Sequence, residues 1–299
     1  NINMVETRSS RLIQQNGQDP TTNTLKRTAI EVAAPKLTKR TRSISNSSLM
    51  PVVSAKLTSK EILSEIHEQL QSKASKQRAT ILTKYFRVVE YGEGDILMGV
   101  KVPDVRTISK SLGFLSYSIL KELIQSKYHE ERLLAVINLV TKFKNTQDPT
   151  ELMEIFRFFI EQMREGVNNW DLVDSSASQI VGDFLKDKPD IKRLWLYEKL
   201  AVSKRLWDRR IAIVSTQCFI NNGEYDDALK LAEMFLNDTE DLIHKATGWT
   251  LREMGKRSKQ TLVKFLNQHA HKMPRVMLRY SLEKFPKPER RKYMTIGKK

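Results

Sequence analysis

The stretch NNWDLVDSS, residues 168–176, sets Trp170 and Asp174 four positions apart. On a helix that spacing puts the indole and the carboxylate on one face. Two later segments, WDRR (207–210) and GWTLRE (248–253), carry a guanidinium and a second indole. Asp174, Arg210 and Trp249 are separated by 36 and then 39 residues. If helical units of about that length stack, equivalent positions form a row on one surface. The row would then hold two cation-attracting aromatic faces, one negative charge and one rigid positive fork. A competing reading makes Asp174 and Arg210 internal struts between neighbouring units and the tryptophans core anchors. Trp195 and Trp207 are assigned to packing in either case, and Cys218, inside IAIVSTQCFI, to a buried small hydrophobe.

The elements that would position this row are helices. In LTSKEILSEIHEQLQSK (57–73), Ser59 is the expected N-cap, and Ile62, Leu63, Ile66 and Leu70 recur at helical spacing. Gly92, Gly94, Gly99 and Pro103 interrupt the pattern, and Val105, Ile108 and Leu112 resume it. Polar breaks follow at NTQDPT (145–150), KDKPD (186–190), NNGEY (221–225) and HKMPR (271–275). Their spacing of about 35–50 residues is that of two-helix solenoid repeats of the HEAT type. Second helices align loosely over 129–140, 170–181, 207–220, 244–256 and 274–285. With no convincing run of alternating strands, the fold is expected to be all-α, a HEAT-like solenoid over residues 57–290.

The 299 residues carry a formal net charge of +16. Residues 1–56 hold nine Lys/Arg against three Asp/Glu, so +10 remains on the rest of the chain. A basic folded body points to a polyanionic partner, nucleic acid before a membrane surface. Residues 1–56 contain no Phe, Trp or Tyr and are expected to be a disordered basic tail. Within it, KRTAIEVAAPKLTKRTR (26–42) resembles a bipartite nuclear localisation signal. A solvated tail and a mitochondrial presequence are the alternatives. Residues 291–299 are expected to be a short basic C-terminal tail. The chain opens on Asn1, as a fragment or a processed product would.

Other chemistries find less support. No apolar run reaches the roughly 18–20 residues of a membrane helix. One cysteine cannot form an intramolecular disulfide, and nothing reads as a secretory signal. His269 and His271 lack the partners of a metal site, so neither a metal nor a cofactor is expected. YGEGDILMG lacks the Lys-Ser/Thr of a phosphate loop, and there is no Gly-x-Ser-x-Gly elbow.

Taken together, NNWDLVDSSASQIVGDFL, WDRRIAIVSTQCFI and HKATGWTLRE resemble the AlkD family of DNA alkylation repair glycosylases, over roughly residues 75–290. The resemblance implies a HEAT-like solenoid whose concave basic surface holds duplex DNA. It also implies hydrolysis of the N-glycosidic bond of N3- and N7-alkylated purines, without a base-flipping pocket. Asp174 would be the catalytic carboxylate, with Trp170 and Trp249 the aromatic pair at the lesion. Arg210 matches the functional arginine better than Arg209, and Arg210, Arg209, Lys245 and Arg252 are the candidate DNA-binding cations. The partner would be alkylated double-stranded DNA and the protein a monomer, nuclear if eukaryotic. The region around 75–125 matches less clearly.

A cationic alkylpurine leaves without a strong general acid, so a carboxylate aimed at the positive charge developing on the deoxyribose would carry the catalysis. The rival is a noncatalytic scaffold binding proteins or unusual nucleic-acid structures, and a third reading is an RNA-binding solenoid. Convergence of Trp170, Asp174 and Trp249 beside a basic groove favours the glycosylase. Burial of Asp174 against Arg210 within the stack favours the scaffold.

Overall fold

The computed structural model describes residues 58–86 and 94–296. The expected N-terminal tail and its localisation signal lie outside them. Among the described residues there is no β-strand, only one isolated bridge between Ile96 and Tyr128. The chain is all-helical and stacked in a solenoid-like manner.

The first helix, α1 (Ser59–Gln71), begins one residue earlier than expected. Thr58 is its N-cap, and Thr58 and Glu61 close a reciprocal capping box. Ile66 and Leu70 are fully buried, while Ile62 and Leu63 are partly so. Helix α2 (Lys76–Tyr85) follows, capped by Ser75. Its start is tied down from a distance. Ser75 N–H donates to the Met98 carbonyl at 3.0 Å. The backbone N–H groups of Met98, Gly99 and Val100 all donate to the buried Glu130 carboxylate at 2.7–3.2 Å. Gly99 has φ +79°, and a Cβ there would lie 2.3 Å from the Ser75 carbonyl oxygen, so the close approach needs glycine.

Helices α3 (Val102–Ser111), α4 (Tyr117–Ile124), α5 (His129–Asn145) and α6 (Pro149–Gly166) come next. Val105, Ile108 and Leu112 are buried, as their spacing predicts. The stretch that begins NNWDLVDSS is an irregular helical run: α7 (Trp170–Asp174), a π-turn (Ser178–Gly182) and α8 (Asp183–Leu185). Short α9 (Pro189–Arg193) and a second π-segment (Leu194–Leu200) lead to α10 (Leu206–Asn221). The chain continues through α11 (Asp226–Met234), α12 (Asp241–Arg257), α13 (Lys259–His269), α14 (Arg275–Ser281) and α15 (Lys287–Thr295).

One row of helices carries the stack. Helix α5 packs on the first π-turn, that turn on α10, α10 on α12 and α12 on α14. Two glycines permit the tightest of these approaches. A Cβ on Gly182 would meet the Ser215 carbonyl oxygen of α10 at 2.3 Å, and one on Gly248 would meet that of Met277 on α14 at 2.5 Å. A continuous core runs through the stack, with Leu172, Val173, Ile180, Ile211, Val214, Ile243 and Leu251 all fully buried. Trp207 is buried, and Trp195 packs edge-on against Phe156 at 5.5 Å.

The C-terminal boundary needs correction. Residues expected to form a tail from 291 belong to α15 as far as Thr295, because Tyr293 is buried and its hydroxyl donates to Asn267 at 2.8 Å.

Candidate active site

The helix row brings Trp170, Asp174, Arg210, Lys245, Trp249 and Arg252 to one pocket of 340 Å³. Tyr85, Phe86, Leu242 and Tyr280 complete its wall. Asp174 ends α7, Arg210 lies in the first turns of α10, and Lys245, Trp249 and Arg252 lie along α12.

At the centre is a forked ion pair. Arg210 Nε donates to Asp174 Oδ1 at 2.9 Å and Nη2 to Oδ2 at 2.8 Å. Its Nη1 donates to the Leu242 carbonyl at 2.7 Å, so the guanidinium bridges α7 to α12. Arg210 is buried, with 6% of its side chain exposed, whereas Asp174 keeps 19%. Burial pushes the Asp174 carboxyl above the ordinary aspartate range. The Arg210 guanidinium opposes that shift, and the neighbouring Asp171 charge adds to it. A carboxylate has about four acceptor sites on its two oxygens, and Arg210 uses two. No other hydrogen bond among the described residues uses the remainder, and Asp174 lines the pocket.

The indole of Trp170 is held by an aromatic group that the sequence did not reveal. Its ring lies 5.2 Å from Phe86 and 5.6 Å, edge-on, from Tyr85. Phe86 in turn lies 5.0 Å from the ring of buried His129, whose Nε2 pairs with Asp171 at 2.8 Å. The residue after Trp170 is therefore anchored to α5, while Trp170 itself is backed by α2. Tyr85 and Phe86 sit about 85 residues before Trp170. The available sequence signal was an aromatic doublet ending a helix ahead of the Gly-rich break.

Not every expected cation is free to meet an anion. Arg209 is absent from the pocket: its guanidinium grips Asp238 at 2.7 and 3.3 Å and donates to the Ser203 and Lys204 carbonyls. Lys245 pairs with Asp241 at 2.6 Å, one turn away on the same helix. Arg252 pairs with Glu253 at 3.0 Å and also with Glu283. The Glu283 carboxyl is held below its usual range, chiefly by Arg252. Among the described residues no cluster of His, Cys, Asp and Glu could hold a metal ion, and no helix is long and apolar enough to cross a membrane.

An all-helical, solenoid-like stack with an aromatic-walled carboxylate pocket is the class that fold and site define together. The chain belongs to the DNA alkylation repair enzyme family, whose model matches residues 66–285. Among solved structures it is similar to one titled "Predicted DNA alkylation repair enzyme from Enterococcus faecalis". That similarity has a TM-score of 0.56 and 16% identity, covering 72% of this chain and 98% of the other. At that identity the likeness speaks for the shared fold. No curated protein matches the sequence.

Proposed function

We propose that this protein is a DNA glycosylase that hydrolyses the N-glycosidic bond of N3- or N7-alkylated purines in duplex DNA. The supporting observation is the convergence of Trp170, Asp174 and Trp249, from two helices about 75 residues apart in sequence, on one pocket. Such a purine carries positive charge before reaction, so it departs without a dedicated acid. The deoxyribose becomes positively charged as the bond lengthens. A carboxylate aimed at it stabilises the transition state more than the ground state, which lowers the barrier.

The pocket supplies what this chemistry requires. The two indoles displace water, and their electron-rich faces attract the developing cation. Water exclusion matters because two unit charges about 4 Å apart interact by roughly 1 kcal/mol in bulk water and about 4 kcal/mol at an effective dielectric of 20. Asp174 can also hold the attacking water with an acceptor site that Arg210 leaves open. The role of Arg210 then differs from that of the DNA-binding cation expected from the sequence. Its guanidinium is buried and bonded three times within the protein, so it fixes the carboxylate's orientation and favours its ionised form.

The scaffold reading draws on the same ion pair, since a strut between stacked helices has this geometry. Base release separates the two. Wild-type protein should release 7-methylguanine from a methylated duplex, while Asp174→Asn binds the duplex and releases none. If wild type also releases nothing from duplexes carrying N3- and N7-methylpurines, the scaffold reading prevails.

A further inference from the structure

Beside the pocket runs a groove of 510 Å³ across α3, α5 and the π-turn. Its lining includes Arg106, Lys110, Lys144, Thr141, Asn145 and Ser175, and among the described residues no carboxylate. Ser175 directly follows Asp174, so the end of α7 is a wall common to groove and pocket.

The cations of the two places differ in how they are paired. In the pocket Arg210, Lys245 and Arg252 each face a carboxylate. In the groove Arg106 and Lys110 are exposed, and their side chains form no ion pair or hydrogen bond among the described residues. Lys144 bonds to the neutral amide oxygen of Gln179. Arg106 and Lys110 lie one turn apart on α3, about 6 Å along the axis. Two long cationic side chains at that separation can reach neighbouring phosphates of one DNA strand. Asn145 adds a neutral donor of the kind that binds phosphate oxygens without reading bases, since its amide nitrogen gives only one N–H to the Thr141 carbonyl, whereas the Thr141 and Ser175 hydroxyls donate back to the Ile137 and Asp171 carbonyls.

We propose that this groove is a phosphodiester-binding site that grips the DNA backbone beside the pocket, with Arg106, Lys110 and Lys144 as its cations. The groove supplies the salt-sensitive affinity and the pocket supplies the chemistry. Placing the lesion in the pocket rests on the glycosylase reading, but the grip on undamaged DNA does not.

The test compares the full chain with its Arg106→Gln/Lys110→Gln/Lys144→Gln variant on an undamaged DNA duplex from about 50 to 200 mM salt. Binding should weaken at least about tenfold, and the slope of log K against log salt should shrink by about 2 to 3, near 0.9 per lost phosphate contact. The three residues are surface-exposed, so an unchanged melting temperature confirms that the variant folds. On a methylated duplex the half-saturating concentration should rise while the single-turnover release rate at saturation stays at the wild-type value. A wild-type slope and affinity in the triple variant overturn the proposal, as does a loss confined to an RNA duplex. If wild type releases no base yet the slope falls as expected, the groove stands and the glycosylase reading fails.

Discussion

The pocket and the adjoining groove are both lined with cations, but their electrostatics differ. Every arginine and lysine of the pocket is opposed by a carboxylate within the protein. The described part of the groove contains no such opposition. Internally paired cations orient groups and shape a field around a reacting centre. Unpaired, solvated ones attract a polyanion and release its counterions. Counting Lys and Arg along a sequence cannot distinguish these cases, because the distinction lies in which carboxylate each cation meets.

The sharpest way to break the comparison is Asp174→Asn. Excision of 7-methylguanine should fall by about 10² to 10³, the usual loss when one preorganised electrostatic group is removed. Affinity for undamaged duplex should stay within about twofold. A parallel loss of binding, read by anisotropy, would make Asp174 a structural strut and remove the division between the two regions.

Arg210→Gln should come next. It leaves a mostly buried carboxylate without its counter-charge, which destabilises by up to about 3 kcal/mol after allowance for the exposed part of Asp174. Thermal melts would report this. The sign with pH follows from the raised carboxyl. Burial already favours the protonated form and the guanidinium opposes it, so removing the guanidinium raises the value further. Excision needs the ionised form, so the acid-side loss of activity should move to higher pH than in wild type. A group raised in the fold contributes stability that is complete below its unfolded value and lost as pH rises through its folded value. The variant should therefore recover part of its stability at low pH.

Trp249→Ala should have a smaller effect. Losing one cation–π face of about 0.5–2 kcal/mol lowers excision by roughly 2- to 30-fold, measured as single-turnover release. The smallest effect is expected at Lys245→Gln and Arg252→Gln. Each should alter the salt slope of duplex binding by less than about one phosphate contact, because both side chains are already neutralised by Asp241, Glu253 and Glu283. A larger change would move part of the grip from the groove into the pocket.

Much of this arrangement was legible in the sequence because it is periodic. Ile66, Leu70, Val105 and Ile108 fall on their predicted buried faces, and the spacing of Asp174, Arg210 and Trp249 follows from stacking helices of similar length. What stayed hidden was the non-local pairing. Nothing near Tyr85 or Phe86 announces a contact with Trp170, nor does His129 announce Asp171. The capture of Arg252 by Glu283 and of Arg209 by Asp238 is equally silent. The Lys245–Asp241 pair was readable, because residues four apart on a helix face one another. At the C-terminus, basic composition concealed the single buried tyrosine that holds α15.

The π-turn at Ser178–Gly182 has a consequence for how this site can vary. A π-turn contains an extra residue relative to an α-turn. Deleting one residue there would leave a plausible helix but rotate everything on one side of it by about 100°. With Gly182 still seated against α10, that rotation would carry Asp174 out of reach of Arg210 while preserving its identity in an alignment. The site is thus encoded in chain length as well as in side chains. A single-residue indel between the carboxylate and its glycine anchor would erase the pocket in one step, with every side chain of the site still present.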